Sequence, residues 1–204
     1  MTVIVGRRTI GRKPTGHDYL VGVMVHVARR LLGAFVVLAI VAGATLAVTS
    51  RGKLSSDRRA VERDWRAVRP GLDARYRLVD ALANAIDDAG GPANPLVTQV
   101  TDAYSTWRKQ TDAPVADAIG TANTLEGLSR RLSITVQRSA LLRGDAPVAA
   151  ALNAVEHAAI PTAVTPLEDA IAKYEKDRGG ALRRLVAGPL GYHAIPRLDL
   201  ASGA

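Results

Sequence analysis

VERDWRAVRPGLDARYRLVDALANAI, residues 61–86, decides the fold. Val61, Trp65, Val68, Leu72, Tyr76, Val79, Leu82 and Ile86 recur there at spacings of three and four. That spacing puts all eight side chains on one face of an α-helix about seven turns long. A strand would need apolar residues at every second position, and no such alternation is present. Ser56 or Asp57 is placed to cap the start of this helix, and Gly90-Gly91 to end it. Glu62 with Arg66 and Asp73 with Arg77 form acid–base pairs at i,i+4, which would support the solvated face. Pro70 lies off the apolar stripe, so Pro70-Gly71 predicts a kink rather than a helix end.

The pattern continues downstream. Asn94-Pro95 reads as an N-cap followed by proline at the first helical position. A second helix then sets Leu96, Val100, Tyr104 and Trp107 on one face and stops near 111–114. A third covers 115–142, with Ile119, Leu125, Leu128, Leu132, Val136 and Ala140 as its stripe, and Gly144 ends it. Asp145 caps an Ala-rich fourth element over 147–159. Thr165-Pro166-Leu167-Glu168 has the form of a capping box and opens a helix to 178, which Gly179-Gly180 ends. A short helix at 181–187 precedes an irregular tail, 188–204. The fold class is all-α: an antiparallel helical bundle over 54–187, with no strand signals and no internal repeat.

Upstream stands LLGAFVVLAIVAGATLAVTS, residues 31–50, without one charged side chain. Twenty helical residues span roughly 30 Å, the thickness of a bilayer core. The segment reads as a single N-terminal transmembrane helix. Ala42-Gly43-Ala44 has the small-x-small form of a cleavage site, but the apolar run continues past it, so an uncleaved signal anchor is expected. The first bundle helix follows the anchor with almost no linker. Residues 1–30 are basic, and 1–23 are aperiodic. A start at Met24 would give MVHVARR before the anchor, a conventional opening.

The net charge of +8 is concentrated at this segment. Arg7, Arg8, Arg12, Lys13, Arg29, Arg30, Arg51, Lys53, Arg58 and Arg59 face only Asp18 and Asp57 over 1–59, whereas 60–204 is neutral. A nucleic-acid binder would carry its excess on the folded body, so nucleic acid is not an expected partner. Arg29, Arg30, Arg51, Lys53, Arg58 and Arg59 instead flank the apolar run, where basic side chains anchor a helix to headgroups. Four Lys/Arg lie within 11–30 and seven within 50–69, a bias that places the bundle on the cytoplasmic side of the cell membrane. There is no cysteine, which removes disulfides and thiol chemistry. Abundant alanine, and arginine far in excess of lysine, suggest a GC-rich bacterial genome.

The run 61–68 followed by 72–79 resembles the signature helix of the LemA family: a tryptophan, a valine three residues on, a leucine, then Arg75-Tyr76-Arg77-Leu78-Val79. Ala172-Lys173-Tyr174-Glu175 is similar to that family's tyrosine-bearing helix, and Gly191-Tyr192 with Pro196 and Leu198 to its closing tail. Pro70, Pro161, Pro166 and Glu175 depart from the family pattern and mark a divergent branch. The resemblance covers roughly 31–200. It implies a single N-terminal anchor with the short N-terminus outside, a helical bundle, and partners among envelope proteins and membrane proteases. It implies no settled activity.

Candidate chemistry is sparse. His17, His26, His157 and His193 never fall three or four residues apart, so metal spacing is not met. Asp87-Asp88 sits at a helix end, where solvation accounts for it, and Glu168-Asp169 at a helix start, where the helix dipole also favours it. Arg143-Gly144-Asp145 reads as a helix stop plus an N-cap. No nucleophile elbow or phosphate loop is present. No catalytic residue, cofactor or metal is expected, and the protein is not read as an enzyme. Trp65, Tyr76, Tyr104 and Trp107 fall on apolar stripes as core residues, or as the lining of a groove for a partner helix. Tyr192 lies off any stripe, in a tail that either packs back or docks elsewhere. The expected function is a membrane-anchored interaction or scaffold module for membrane or envelope proteins. The alternative is an anionic-lipid-surface or membrane-remodelling protein that self-associates through its bundle.

Overall fold

The computed structural model describes the backbone at residues 16–90, 95–180, 184 and 187–200. It describes the side chains of these residues from Arg51 onward, together with Leu38, Thr45 and Val48. Six helices follow in order: α1 Gly16–Asp88, α2 Pro95–Lys109, α3 Val115–Arg138, α4 Ala140–Gly144, α5 Ala146–Glu156 and α6 Val164–Gly179. Among the described residues there is no strand. The chain divides into two compact units, Met1–Val48 and Thr49–Ala204, and α1 contributes to both.

In the first unit the described backbone is helical from Gly16, and Leu38, Thr45 and Val48 are exposed. The transmembrane assignment at 31–50 falls on residues whose side chains, those three apart, lie outside the described set, as do Arg29, Arg30, His17 and His26. Among the described residues no helix is long and apolar enough to cross a membrane. Residues 1–15, the Asn94 cap and most of the 181–187 helix also lie outside.

The second unit is a helical bundle around one core. All eight stripe residues of 61–86 are buried, and Leu54 extends the stripe by two turns. Ser56 and Asp57 therefore cap nothing, because α1 is already helical before them. Pro70 sits within α1. Gly71 next to it has a packing role: a Cβ there would collide with the Pro161 ring, so α1 and the α5–α6 connection meet only because Gly71 has no side chain. Gly90, at φ +71°, ends α1 as its sequence suggests.

Two further boundaries differ from the periodicity. The stripe of 115–142 is interrupted at Ser139, which is extended (φ −93°, ψ 115°) and whose hydroxyl accepts from Leu142 N–H at 3.3 Å. A serine that can cap competes with helix continuation. Ala140, expected in the core, is exposed as the first residue of α4. Asp145 caps α5 as anticipated, accepting from Val148 N–H at 3.0 Å. The Thr165 capping box does not form: Ala163 occupies the N-cap with no side-chain bond, and Thr165 lies inside α6. The tail belongs to the bundle. Ala187, Tyr192 and Leu198 are buried. Tyr174 Oη donates to His193 O at 2.8 Å, and Ile195 N–H donates to Glu175 Oε1 at 2.8 Å. Asn123 accepts from Asp199 N–H and donates to Arg197 O.

Candidate functional site

Three aromatic side chains meet at one place. Trp107 of α2 is fully enclosed between Trp65 and Tyr76 of α1, with edge-on contacts at 6.0 and 5.0 Å between ring centroids. Edge-to-face geometry aligns ring edges with the electron-rich faces. The indole N–H donates to Asp73 Oδ1 at 2.7 Å. Asp73 therefore serves Trp107 and forms no ion pair with Arg77; likewise Glu62 pairs with Arg58 at 3.0 Å rather than with Arg66. Arg69 lies over Trp107, 5.0 Å from the ring centroid, and donates to the carbonyls of Gln110 (2.6 Å) and Thr111 (3.1 Å). It caps the exit of α2, where carbonyls lack helical partners and a cation is favoured.

One turn beyond Leu72 a second arginine behaves differently. Arg75 is 8% exposed and grips Glu126 of α3, which is 1% exposed, through Nε (2.7 Å) and Nη2 (3.1 Å). Its remaining nitrogen faces Val155 O and Ala158 O at the end of α5, both at 3.5 Å. Tyr76 donates to Ala122 O at 3.3 Å. Burial first, and then the nearby Glu126 charge, push the Tyr76 phenol far above its ordinary range. A second charged group is buried at Asp57, paired with Lys173 of α6 at 2.8 Å. The hydrogen bond from Lys173 to Asp57, then their attraction, raises the lysine pKa.

Of the sequence-predicted residues, Trp65, Tyr76 and Trp107 form a single cluster inside the core, and Tyr192 is buried elsewhere, its hydroxyl donating to Arg51 O at 3.3 Å. Only Tyr104 is half-exposed, lining clefts between α1 and α2. Arg51, Lys53, Arg58 and Arg59 are all exposed, with Lys53 bound to Asp177 at 3.0 Å. His157 and His193 are exposed, and among the described residues no three His, Asp or Glu side chains group as a metal site. Sequence reasoning missed the Arg75–Glu126 pair. Only half of its signal was present: Arg75 lies three residues after Leu72 and four before Val79, at the edge of the buried stripe, which marks its burial but not its partner.

Two clefts between α1 and α2 are lined by charged and hydroxyl side chains. One, of about 210 Å³, is lined by Arg69, Arg77 and Arg108. Its neighbour, of about 440 Å³, is lined by Asp80, Arg108 and Lys109. Tyr104 and Arg108 belong to both. Burial raises the Asp80 carboxyl pKa, partly offset by a hydrogen bond from Asn84 and by Arg108. These side chains can bind and orient a ligand; they include no nucleophile paired with a base. No family model matches the chain, and neither a curated protein nor a solved structure matches it.

Proposed function

We propose that this is a single-pass membrane protein, tethered through 31–50, whose helical bundle acts as a non-catalytic interaction or scaffold module for membrane or envelope proteins. The observation that carries this reading is the uncharged 20-residue run, set between basic flanks and followed by a body of zero net charge. The resemblance of 61–79 to the LemA signature helix favours the same layout, with a divergent LemA-like bundle on the cytoplasmic side. The tether confines the bundle's encounters to the membrane plane, which raises the effective concentration of membrane partners.

Crosslinking in native membranes followed by affinity capture of the full chain tests this. A discrete membrane or envelope protein should be recovered, and recovery of the chain alone under every detergent condition would contradict the proposal.

One observation favours a second reading, an anionic-lipid-surface role. Arg51 and Arg59 are exposed on α1 in the basic stretch that follows the apolar run in sequence, where each could contribute about 1 kcal/mol near an anionic leaflet. Liposome flotation separates the two readings. Binding of residues 49–204, the compact unit that keeps Arg51 and Arg59, that depends on anionic lipid would favour the lipid role, and absence of binding the scaffold role.

A further inference from the structure

We infer that the groove between α1 and α2 is a docking site for an acidic segment of the protein partner, entered with its carboxylates toward Arg77 and Arg108. This rests on the scaffold reading above and adds the chemistry of the partner. Three observations on the groove lead to it.

The first is positive charge without a carboxylate in contact with it. Arg69 is fixed by Trp107 and the α2 carbonyls. Asp73, the one carboxylate in the smaller cleft, already accepts from the Trp107 indole. Arg77 and Arg108, one from each helix, are exposed and form no ion pair among the described residues. Guanidinium groups in this state offer paired N–H donors matched to carboxylate oxygens.

The second is shape. Along α1 the groove runs from Arg69 to Asp80, roughly 16 Å at helical rise. That is the length of about five residues of extended chain. A compact anion would fill only a fraction of it. Thr111 at one end, Tyr104 between, and Thr101 and Ser105 at the other supply the short-range hydrogen bonds a peptide backbone needs.

The third is the balance of charge along the groove. Arg69, Arg77, Arg108 and Lys109 line the two clefts against Asp73 and Asp80, so cations outnumber carboxylates at both ends. An acidic segment is matched over the whole length.

The test uses the full chain in nanodiscs of zwitterionic lipid and two labelled ten-residue peptides: one of glutamate and alanine, the other its glutamine counterpart. Fluorescence anisotropy should show binding of the glutamate peptide, at least about tenfold weaker binding of the glutamine peptide, and weakening with salt. Arg77→Glu with Arg108→Glu should reduce affinity at least tenfold with an unchanged melting temperature. Arg59→Glu with Arg63→Glu, on exposed α1 positions outside the groove, should change it less than twofold. Should the first pair fail to fold, Arg77→Gln and Arg108→Gln singly carry the same comparison. No binding of the glutamate peptide, equal loss in both pairs, or displacement by micromolar inorganic phosphate would overturn the inference; the last would mark a phosphate site instead. Crosslinking keeps the two proposals apart. A partner still captured by the Arg77→Glu, Arg108→Glu chain would dispose of the groove and leave the scaffold role intact.

Discussion

Arg69 and Arg75 lie on the same helix, less than two turns apart, and the seams they occupy are built on opposite principles. At the α1–α3–α5 seam, Arg75 closes the interface with a buried carboxylate and helix-end carbonyls, leaving its charge satisfied inside the bundle. At the α1–α2 seam, aromatic packing supplies the interior contact, and Arg69 lies over it as a cap. The charges of Arg77 and Arg108 then remain on the surface around an open groove. A seam held by ring packing leaves its polar groups free to meet something else. A seam held by an ion pair requires both partners and has none to spare.

The largest expected effect comes from the aromatic seam. Trp107→Ala should destabilise the bundle by up to about 5 kcal/mol, because it opens a cavity and leaves Asp73 without its donor. Urea unfolding monitored by circular dichroism measures it, and a loss under about 2 kcal/mol would mean that ring packing does not hold this seam. At the other seam, Glu126→Ala should cost about 3–4 kcal/mol by stranding the buried Arg75 charge. The double variant Arg75→Met, Glu126→Leu should lie within about 1 kcal/mol of the natural chain. If the double variant is as unstable as the single one, the pair contributes more than mutual compensation.

Gly71→Ala probes where the ion-pair seam meets the α5–α6 connection. Displacing Pro161 should cost about 1–3 kcal/mol, read from the urea midpoint, and a neutral result would show that the connection is free to shift. The smallest effect is at Asp80. Because burial raises its pKa, the folded chain holds this proton more tightly than the unfolded one. Its contribution is present at low pH and is lost as pH rises from about 4 through the folded value. Asp80→Asn should flatten that part of the pH–stability profile. An unchanged slope would place the shift elsewhere and leave the groove without a half-buried carboxyl of raised pKa.

Which parts of this were legible in the chain follows from the physics of each signal. The stripe from Val61 to Ile86 was readable because burial of large apolar side chains repeats at the helical period, and all eight residues are buried. Gly90 and Asp145 were readable because positive φ and N-capping each select a small set of residues. Ser139 was not: a serine inside a periodic run is neutral locally, and only the packing of Leu142 shows that the helix must turn there. The Thr165 box satisfied the local rule and was overridden when α6 began two residues early. Arg75 and Glu126 stand 51 positions apart, and nothing local couples them. The groove was invisible for the same reason. Tyr104 was legible as a face residue, but its setting among Arg77, Arg108 and Asp80 exists only once α1 and α2 are brought together.

The scaffold role requires that 31–50 be embedded in lipid. Washing membranes from cells that express the full chain with alkaline sodium carbonate tests this directly, because high pH strips peripheral proteins but not a spanning helix. The full-length chain should stay in the membrane pellet. Its release into the supernatant would contradict the tether and the scaffold role that rests on it.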